Sequence, residues 1–232
     1  YGVLVLAGPR SRDTLAKLTR TPLDNPNFPW LSGQEISVGR GTANALRVNF
    51  VGELGWELHH PIEQQNAIFD AVMEAGDEFG IKPFGIRAMT SMAIEKSYRL
   101  IPRELSIEYN AYESGLDRFV KPDKGEFLGR AGLLKAKENG LNWNFVTLEV
   151  LGVSDADARG NEAIYDAGGS LIGRATHGGY GYRTGKSLAL AMVKPEFADI
   201  GSELQIRILG TNYKAIVVPE SPFDPDNAAL RA

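Results

Sequence analysis

The sequence contains no cysteine. That absence excludes disulfides, thiolate nucleophiles and thiolate metal sites, and it removes any positive sign of secretion. Long hydrophobic runs are also missing. No stretch approaches the ~18 apolar residues of a membrane span, and neither a signal-peptide nor a transit-peptide pattern leads the chain. Nor is there an excess of positive charge. Lys and Arg number 25 against 29 Asp and Glu, a net charge of −4, whereas a nucleic-acid binder carries a basic face or stripe. Neither nucleic acid nor membrane is expected as a partner, and the expected location is cytoplasmic. The chain also lacks an initiator Met and enters an apolar run at once, Tyr1-Gly2-Val3-Leu4-Val5-Leu6. A buried strand at residue one is expected of a fragment of a longer polypeptide, the alternative being a processed terminus.

What is present suits a globular protein. The 232 residues are 43% hydrophobic and 23% charged, enough for one large or two ordinary domains. Val3 to Leu6, closed by Gly8-Pro9, reads as a buried strand and turn. Arg12 to Leu18 has helical spacing. Glu35 to Val38 and Ala45 to Phe50 read as a hairpin around Gly39, Gly41 and Asn44. Trp56 to His59 makes a further strand after the turn Gly52 to Gly55. Ile62 to Phe79 places Ile68, Phe69, Val72 and Met73 on one helical face, and a second helix runs from Ile86 to Tyr98. Strands followed by helices predict an α+β domain. Glu126 to Glu138 reads as helical. After Asn139-Gly140 the character changes. Six short β-rich segments, at 145–150, 162–165, 171–176, 188–193, 204–208 and 213–218, alternate with glycine and Asp/Asn turns, the pattern of a small antiparallel barrel. The expected division is therefore 1–140 and 141–232.

Two segments carry candidate chemistry. In Asn49-Phe50-Val51-Gly52-Glu53-Leu54-Gly55-Trp56-Glu57-Leu58, two glycines three apart let the backbone turn tightly and approach a ligand. Strand alternation sends Trp56 and Glu57 to opposite faces. One carboxylate aimed into a pocket accepts two hydrogen bonds from an amino-pyrimidine edge; the plainer reading is a hairpin with solvated acids. In Phe84-Gly85-Ile86-Arg87, Arg87 falls in a helical first turn, where a cation is poorly placed for the helix dipole. Its fork geometry suits a carboxylate or ring carbonyl; the plainer reading is a surface or acid-paired arginine. Glu95 and Arg99, four apart, read as a helix-surface pair. His59 and His60 are adjacent on a strand and point opposite ways, a poor metal geometry, so no metal site is expected. Tyr180 and Tyr182 read as barrel packing. Gly178-Gly179-Tyr180-Gly181 lacks the strand-to-helix context of a phosphate loop.

Taken together, these motifs resemble the glycine-cleavage T-protein (aminomethyltransferase) family. The resemblance rests on Gly52-Glu53-Leu54-Gly55-Trp56-Glu57, followed about thirty residues later by Gly85-Ile86-Arg87-Ala88 and Glu95-Lys96-Ser97-Tyr98-Arg99. Leu6-Ala7-Gly8-Pro9, the run Ala111 to Val120, Thr176-His177-Gly178, Lys186-Ser187-Leu188-Ala189 and Pro222-Phe223-Asp224-Pro225 extend it along essentially the whole chain. Within the family the chain looks closest to the dimethylglycine and sarcosine dehydrogenase branch, on Leu54-Gly55-Trp56 and on Arg103-Glu104-Leu105 with Glu108-Tyr109. In that branch a separate flavin domain oxidises a methylated amine and the folate domain captures the one-carbon unit.

The resemblance implies a partial folate-binding α+β domain followed by a C-terminal barrel, with tetrahydrofolate as cofactor. It implies a small methylated amine as substrate and a flavin-dependent dehydrogenase domain or subunit as partner. By the same likeness Glu57 matches the pterin-binding glutamate and Arg87 a second folate-site residue. Phe50 stands where a tyrosine is usual, so it walls the pocket without a hydroxyl, and Trp56 flanks the site. His177 lies in a loop that faces the folate site in the family. The catalytic aspartate of the family lies upstream of the Leu-x-Gly-Pro strand and matches nothing here. No catalytic residue is therefore assigned, and the isolated chain is not expected to complete the reaction. Two alternatives remain at this point: a folate-dependent demethylase of a sulfonium compound, and a non-catalytic folate-binding or scaffolding fragment.

Overall fold

A computed structural model describes residues 1–153 and 155–232. Contacts divide the chain into two compact units, one of residues 1–93 with 224–232, the other of residues 94–223.

The first unit is built on a four-stranded antiparallel sheet. Its strands are β1 (Gly2–Ala7), β2 (Gly33–Val38), β3 (Gly41–Leu46) and β4 (Gly55–His60), in the order β1-β4-β3-β2. The first helix, α1 (Ser11–Ala16), and the second, α2 (Gln65–Gly76), pack together. Alternation sorts the sheet into two faces. Leu6, Ile36, Val38, Ala43, Ala45, Trp56 and Leu58 form one core with Leu15, Phe28, Ile68 and Val72 from the helices and loops. Each such large side chain contributes roughly 1.5–3 kcal/mol by leaving water. Val3, Val5, Thr42, Asn44, Glu57 and His59 take the opposite face and are exposed or half-buried. The expected helix over 62–79 is present, with 3-10 turns at both ends.

Strand β3 ends at Leu46, four residues before the expected Phe50. The next residue, Arg47, is only 1% exposed. Its guanidinium turns inward and donates to Asn25 Oδ1 at 2.5 Å, the Phe28 carbonyl at 2.7 Å and the Ala232 carbonyl at 2.8 Å. A buried charge is tolerated when most of its donors are met; of the Arg47 donors, Nε has no partner among the described residues.

The second unit contains a closed six-stranded antiparallel barrel. Its strands are β5 (Asn144–Val150), β6 (Ala163–Tyr165), β7 (Leu171–Gly181), β8 (Lys186–Val193), β9 (Glu203–Ile208) and β10 (Thr211–Val218), in the order β10-β5-β8-β7-β6-β9. The run Leu188 to Val193 is continuously apolar because both of its faces are covered. Ala189, Ala191 and Val193 face the barrel core. Leu188, Leu190 and Met192 pack outside it with Ile94 and Phe145. Mixed sheet-and-helix structure followed by an antiparallel barrel is the α+β architecture expected from the pattern.

Residues 94–143 differ most from expectation. The third helix, α3 (Ile86–Ile94), stops four residues before Tyr98, and Ser97 takes a left-handed φ of 54°. The fourth, α4 (Arg130–Asn139), starts after Gly129 at φ 90°, not at Glu126. Much of the stretch between them has no regular secondary structure, yet Glu95, Glu104 and Glu113 are each at most 4% exposed. These carboxylates replace a strand partner by accepting backbone N–H groups. Glu95 Oε1 accepts from Arg183 and Thr184, Glu104 Oε2 from Leu100, and Glu113 from Asn110 and Asn142. The expected surface pair Glu95–Arg99 is therefore corrected. Glu95 also takes Arg183 Nε at 2.5 Å, while Arg99 forks onto Glu220 at 2.7 and 2.8 Å and lies 3.8 Å over the Phe145 ring. The tyrosines are corrected too. Tyr180 and Tyr182 meet edge to face at 5.1 Å but are 44% and 81% exposed, outside the barrel core.

No helix among the described residues is long and apolar enough to cross a membrane. Among the described residues, no group of three or more His, Cys, Asp or Glu side chains is placed to hold a metal ion.

Candidate functional site

The turn at 49–55 is organised by its first residue. Asn49 Oδ1 accepts the N–H groups of Val51 and Gly52 at 3.0 and 3.1 Å, and its amide donates to the Glu53 carbonyl at 2.6 Å. This local Asx arrangement substitutes for a ladder. Gly52 supplies the positive φ of 75° that the turn needs. Gly55 is required for a different reason: a Cβ there would lie 2.5 Å from the Leu6 carbonyl oxygen and 2.9 Å from Ala7 Cα. Its absence lets β4 close against β1. Gly8 N–H then donates to the Leu54 carbonyl at 2.8 Å and Ser11 Oγ to the same oxygen at 3.0 Å. Val51 and Leu54 are buried and pin the turn from beneath.

This frame fixes the next two side chains on opposite faces. Trp56 enters the core and is fully enclosed. It meets Phe28 edge to face at 6.0 Å, and the guanidinium groups of Arg12 and Arg47 lie 5.9 and 5.8 Å from its ring. Glu57 takes the outer face between Val5 on β1 and Leu46 on β3. Its carboxylate is 28% exposed, and Oε2 accepts from His59 Nε2 at 3.0 Å. His59 stands two residues on, so strand alternation brings the pair together. A carboxylate holding one such bond keeps further lone pairs for a ligand. His60 points the other way, is fully buried and bonds the Pro61 carbonyl through Nδ1 at 3.1 Å.

The other candidates are placed differently. Phe50 is half-buried in the turn. Arg87 is exposed in the first turn of α3, and no ion pair joins it to Glu57 among the described residues. A cavity of about 530 Å³ in this unit runs along the edge of β1, with Val3, Val5, Leu6, Phe69, Phe84 and Ile86 among its walls. It is mainly apolar, and Glu57 and Phe50 do not line it. His177 lies in strand β7 rather than in a loop and is 3% exposed, so it is no open pocket residue. Its Nδ1 lies 3.0 Å from Glu104 Oε1. Composition alone did not identify three residues that shape these places: Asn49, His59 as the partner of Glu57, and Arg47. Of these only His59 left a trace, since an i,i+2 step along a strand always returns to the same face.

Comparison with known proteins places both segments in one family. Residues 1–124 match the GCVT N-terminal domain and residues 144–224 the glycine cleavage T-protein C-terminal barrel domain. The chain is 39% identical over 220 residues to mitochondrial dimethylglycine dehydrogenase of Homo sapiens, covering 94% of this chain and 25% of that protein. It is 34% identical over 220 residues to an aminomethyltransferase of Koribacter versatilis, covering 93% of this chain and 57% of that one. The fold matches the crystal structure of glycine cleavage system aminomethyltransferase T from Bartonella henselae with a TM-score of 0.84 at 21% identity, over 96% of this chain and 60% of that one. The chain thus spans about a quarter of the dehydrogenase and little more than half of the aminomethyltransferase. With both segments matched, in order and along nearly its whole length, this chain belongs to the glycine-cleavage T-protein family.

Proposed function

We propose that this chain is the folate-binding part of a tetrahydrofolate-dependent one-carbon transferase, with Glu57 as the residue that grips the pterin. The observation that carries the proposal is the Glu57 carboxylate. It stands on the open face of β4, oriented by His59 and set by a turn that Asn49, Gly52 and Gly55 hold rigid. A planar carboxylate so held accepts two parallel N–H bonds from the amino-pyrimidine edge of a pterin. The cofactor supplies the nucleophilic nitrogen, and the protein positions it. Arg87, exposed at the start of α3, anchors an anionic or carbonyl group of the ligand. Phe50 walls the same side, and Trp56 supports the strand from behind.

The donor we assign is a methylated amine, oxidised by a flavin-dependent dehydrogenase domain or subunit of a longer enzyme. The likeness to dimethylglycine dehydrogenase supports this reading. We propose a functional division at 1–140 and 141–232, supported by one family segment ending at 124 and the next starting at 144.

The test is calorimetric titration of the chain with 5-formyl-tetrahydrofolate, an oxidation-resistant probe. Saturable binding is expected, weakened about tenfold or more by Glu57→Gln, because a charge-assisted bond is lost. Far-UV dichroism should be unchanged, since the side chain is partly exposed. A Glu57→Ala variant that binds as tightly as the parent chain sinks the assignment of Glu57. No binding by either favours a scaffolding role.

A further inference from the structure

A second polar recess lies in the barrel unit, apart from every residue assigned above. It encloses about 340 Å³ and is lined by three arginines, Arg103, Arg159 and Arg174, with Asn161, Ser106 and the acid Glu108. Three positive charges against one negative leave a formal excess of +2 at the walls. The chain as a whole carries −4, so the recess runs against the global sign.

Two of these arginines, Arg103 and Arg174, are held in place by the fold. Arg103 Nη1 donates to two backbone carbonyls, Arg159 at 2.9 Å and Thr176 at 2.7 Å. Carbonyl acceptors fix the plane of a guanidinium without cancelling its charge. The neighbouring acid Glu104 is saturated by Leu100 N–H, the Thr176 hydroxyl and His177. The nearby Glu162 accepts the N–H groups of Arg159 and Gly160, at 2.9 and 2.7 Å; such bonds satisfy both carboxylates without removing their charges, so the positive excess belongs to the lining side chains alone. Arg174 is oriented by Tyr109 Oη at 2.9 Å and by Glu108. Gly160 makes the arrangement possible. It holds φ 121°, and a Cβ there would lie 2.6 Å from the Thr176 carbonyl oxygen and 3.5 Å from Arg103 Nη1. Two oriented guanidinium groups, with the exposed Arg159 beside them, match the oxygens of a carboxylate or phosphate, and the volume is that of a small-ligand site.

We infer that this recess is a binding site for a small dianion, a dicarboxylate or a phosphate ester, separate from the proposed folate site. The experiment titrates the full chain with succinate and, separately, with inorganic phosphate, each against sodium chloride at matched ionic strength. Binding is followed by calorimetry and by the thermal midpoint. Saturable one-to-one binding of either anion is expected; succinate alone identifies a dicarboxylate site, phosphate alone a phosphoryl site. Arg159→Gln should weaken that binding about tenfold. The side chain is exposed, so loss of fold does not confuse the result. Arg159→Lys should keep part of the affinity, and Glu57→Gln should leave it unchanged. Absence of saturable binding by both anions overturns the inference. So does binding that Arg159→Gln and Arg174→Gln both leave intact.

Discussion

Removing the Glu104 carboxylate should loosen the barrel unit more than any surface change of equal size. Glu104 is fully buried and accepts three hydrogen bonds, from Leu100 N–H at 2.8 Å, His177 Nδ1 at 3.0 Å and the Thr176 hydroxyl. In Glu104→Ala the Thr176 hydroxyl donates instead to the Leu190 carbonyl, 3.0 Å away, so it is not orphaned. The Leu100 N–H and the His177 imidazole are. Each unmet donor costs roughly 1–3 kcal/mol, and the one lost methylene adds about 0.8 kcal/mol. A loss of about 3–7 kcal/mol follows. With a urea m-value of about 2 kcal/mol/M, the midpoint of the barrel transition should fall by about 1.5–3.5 M. In a double-mutant cycle, His177→Ala should cost less in the Glu104→Ala background, with a coupling of about 1–3 kcal/mol. A cost below about 1 kcal/mol, or no coupling, refutes the reading of Glu104 as the anchor of the irregular segment.

The same site predicts a pH dependence. Burial pushes the Glu104 carboxyl up, but the bonds from His177 and Thr176, the His177 charge and the Leu100 N–H outweigh it, and the group lies below the ordinary glutamate value. A depressed folded-state value means stabilisation that is complete above the unfolded value, about 4.3, and lost as pH falls through the lower folded value. Acid titration of barrel stability should therefore be steeper in the parent chain than in Glu104→Ala; equal slopes refute it. Glu95→Ala leaves the N–H groups of Arg183 and Thr184 and the Arg183 guanidinium without this acceptor, at a cost of about 3 kcal/mol in chemical denaturation; a loss below 1 kcal/mol is the contrary result. Gly55→Ala should destabilise the first unit by about 1–3 kcal/mol by pushing β4 off β1. Amide exchange in Leu6 to Gly8 should rise first, and unchanged exchange there contradicts the close-approach argument. Trp56→Ala should cost about 3–5 kcal/mol, whereas Glu57→Gln one residue on should cost under 1 kcal/mol and act only on the proposed folate binding. Similar thermal midpoints for the two would overturn the two-face description of β4.

The sequence by itself determined the parts that depend on periodicity and punctuation. Apolar alternation located the strands of the sheet and barrel to within about two residues, except β3, which lies four residues earlier than the expected Ala45 to Phe50, and β7, which runs on to Gly181 past the expected Thr176. The amphipathic spacing of Ile68, Phe69, Val72 and Met73 marked α2, and the order of short motifs along the chain pointed to the family. The opposite facing of Trp56 and Glu57 was also legible, because strand alternation is a local property. Tertiary structure decided what local patterns do not encode. Nothing adjacent to Glu95, Glu104 or Glu113 announces that they serve buried N–H groups 3 to 89 residues away, so a sequence reading leaves such acids on the surface. Arg47 is buried just past β3 because its acceptors, Asn25, Phe28 and Ala232, come from distant parts of the chain. The recess around Arg103, Arg159 and Arg174 exists only because folding brings three separate segments together at Gly160 and Thr176. Buried charges need partners wherever the chain supplies them, and that requirement is met in space rather than along the sequence.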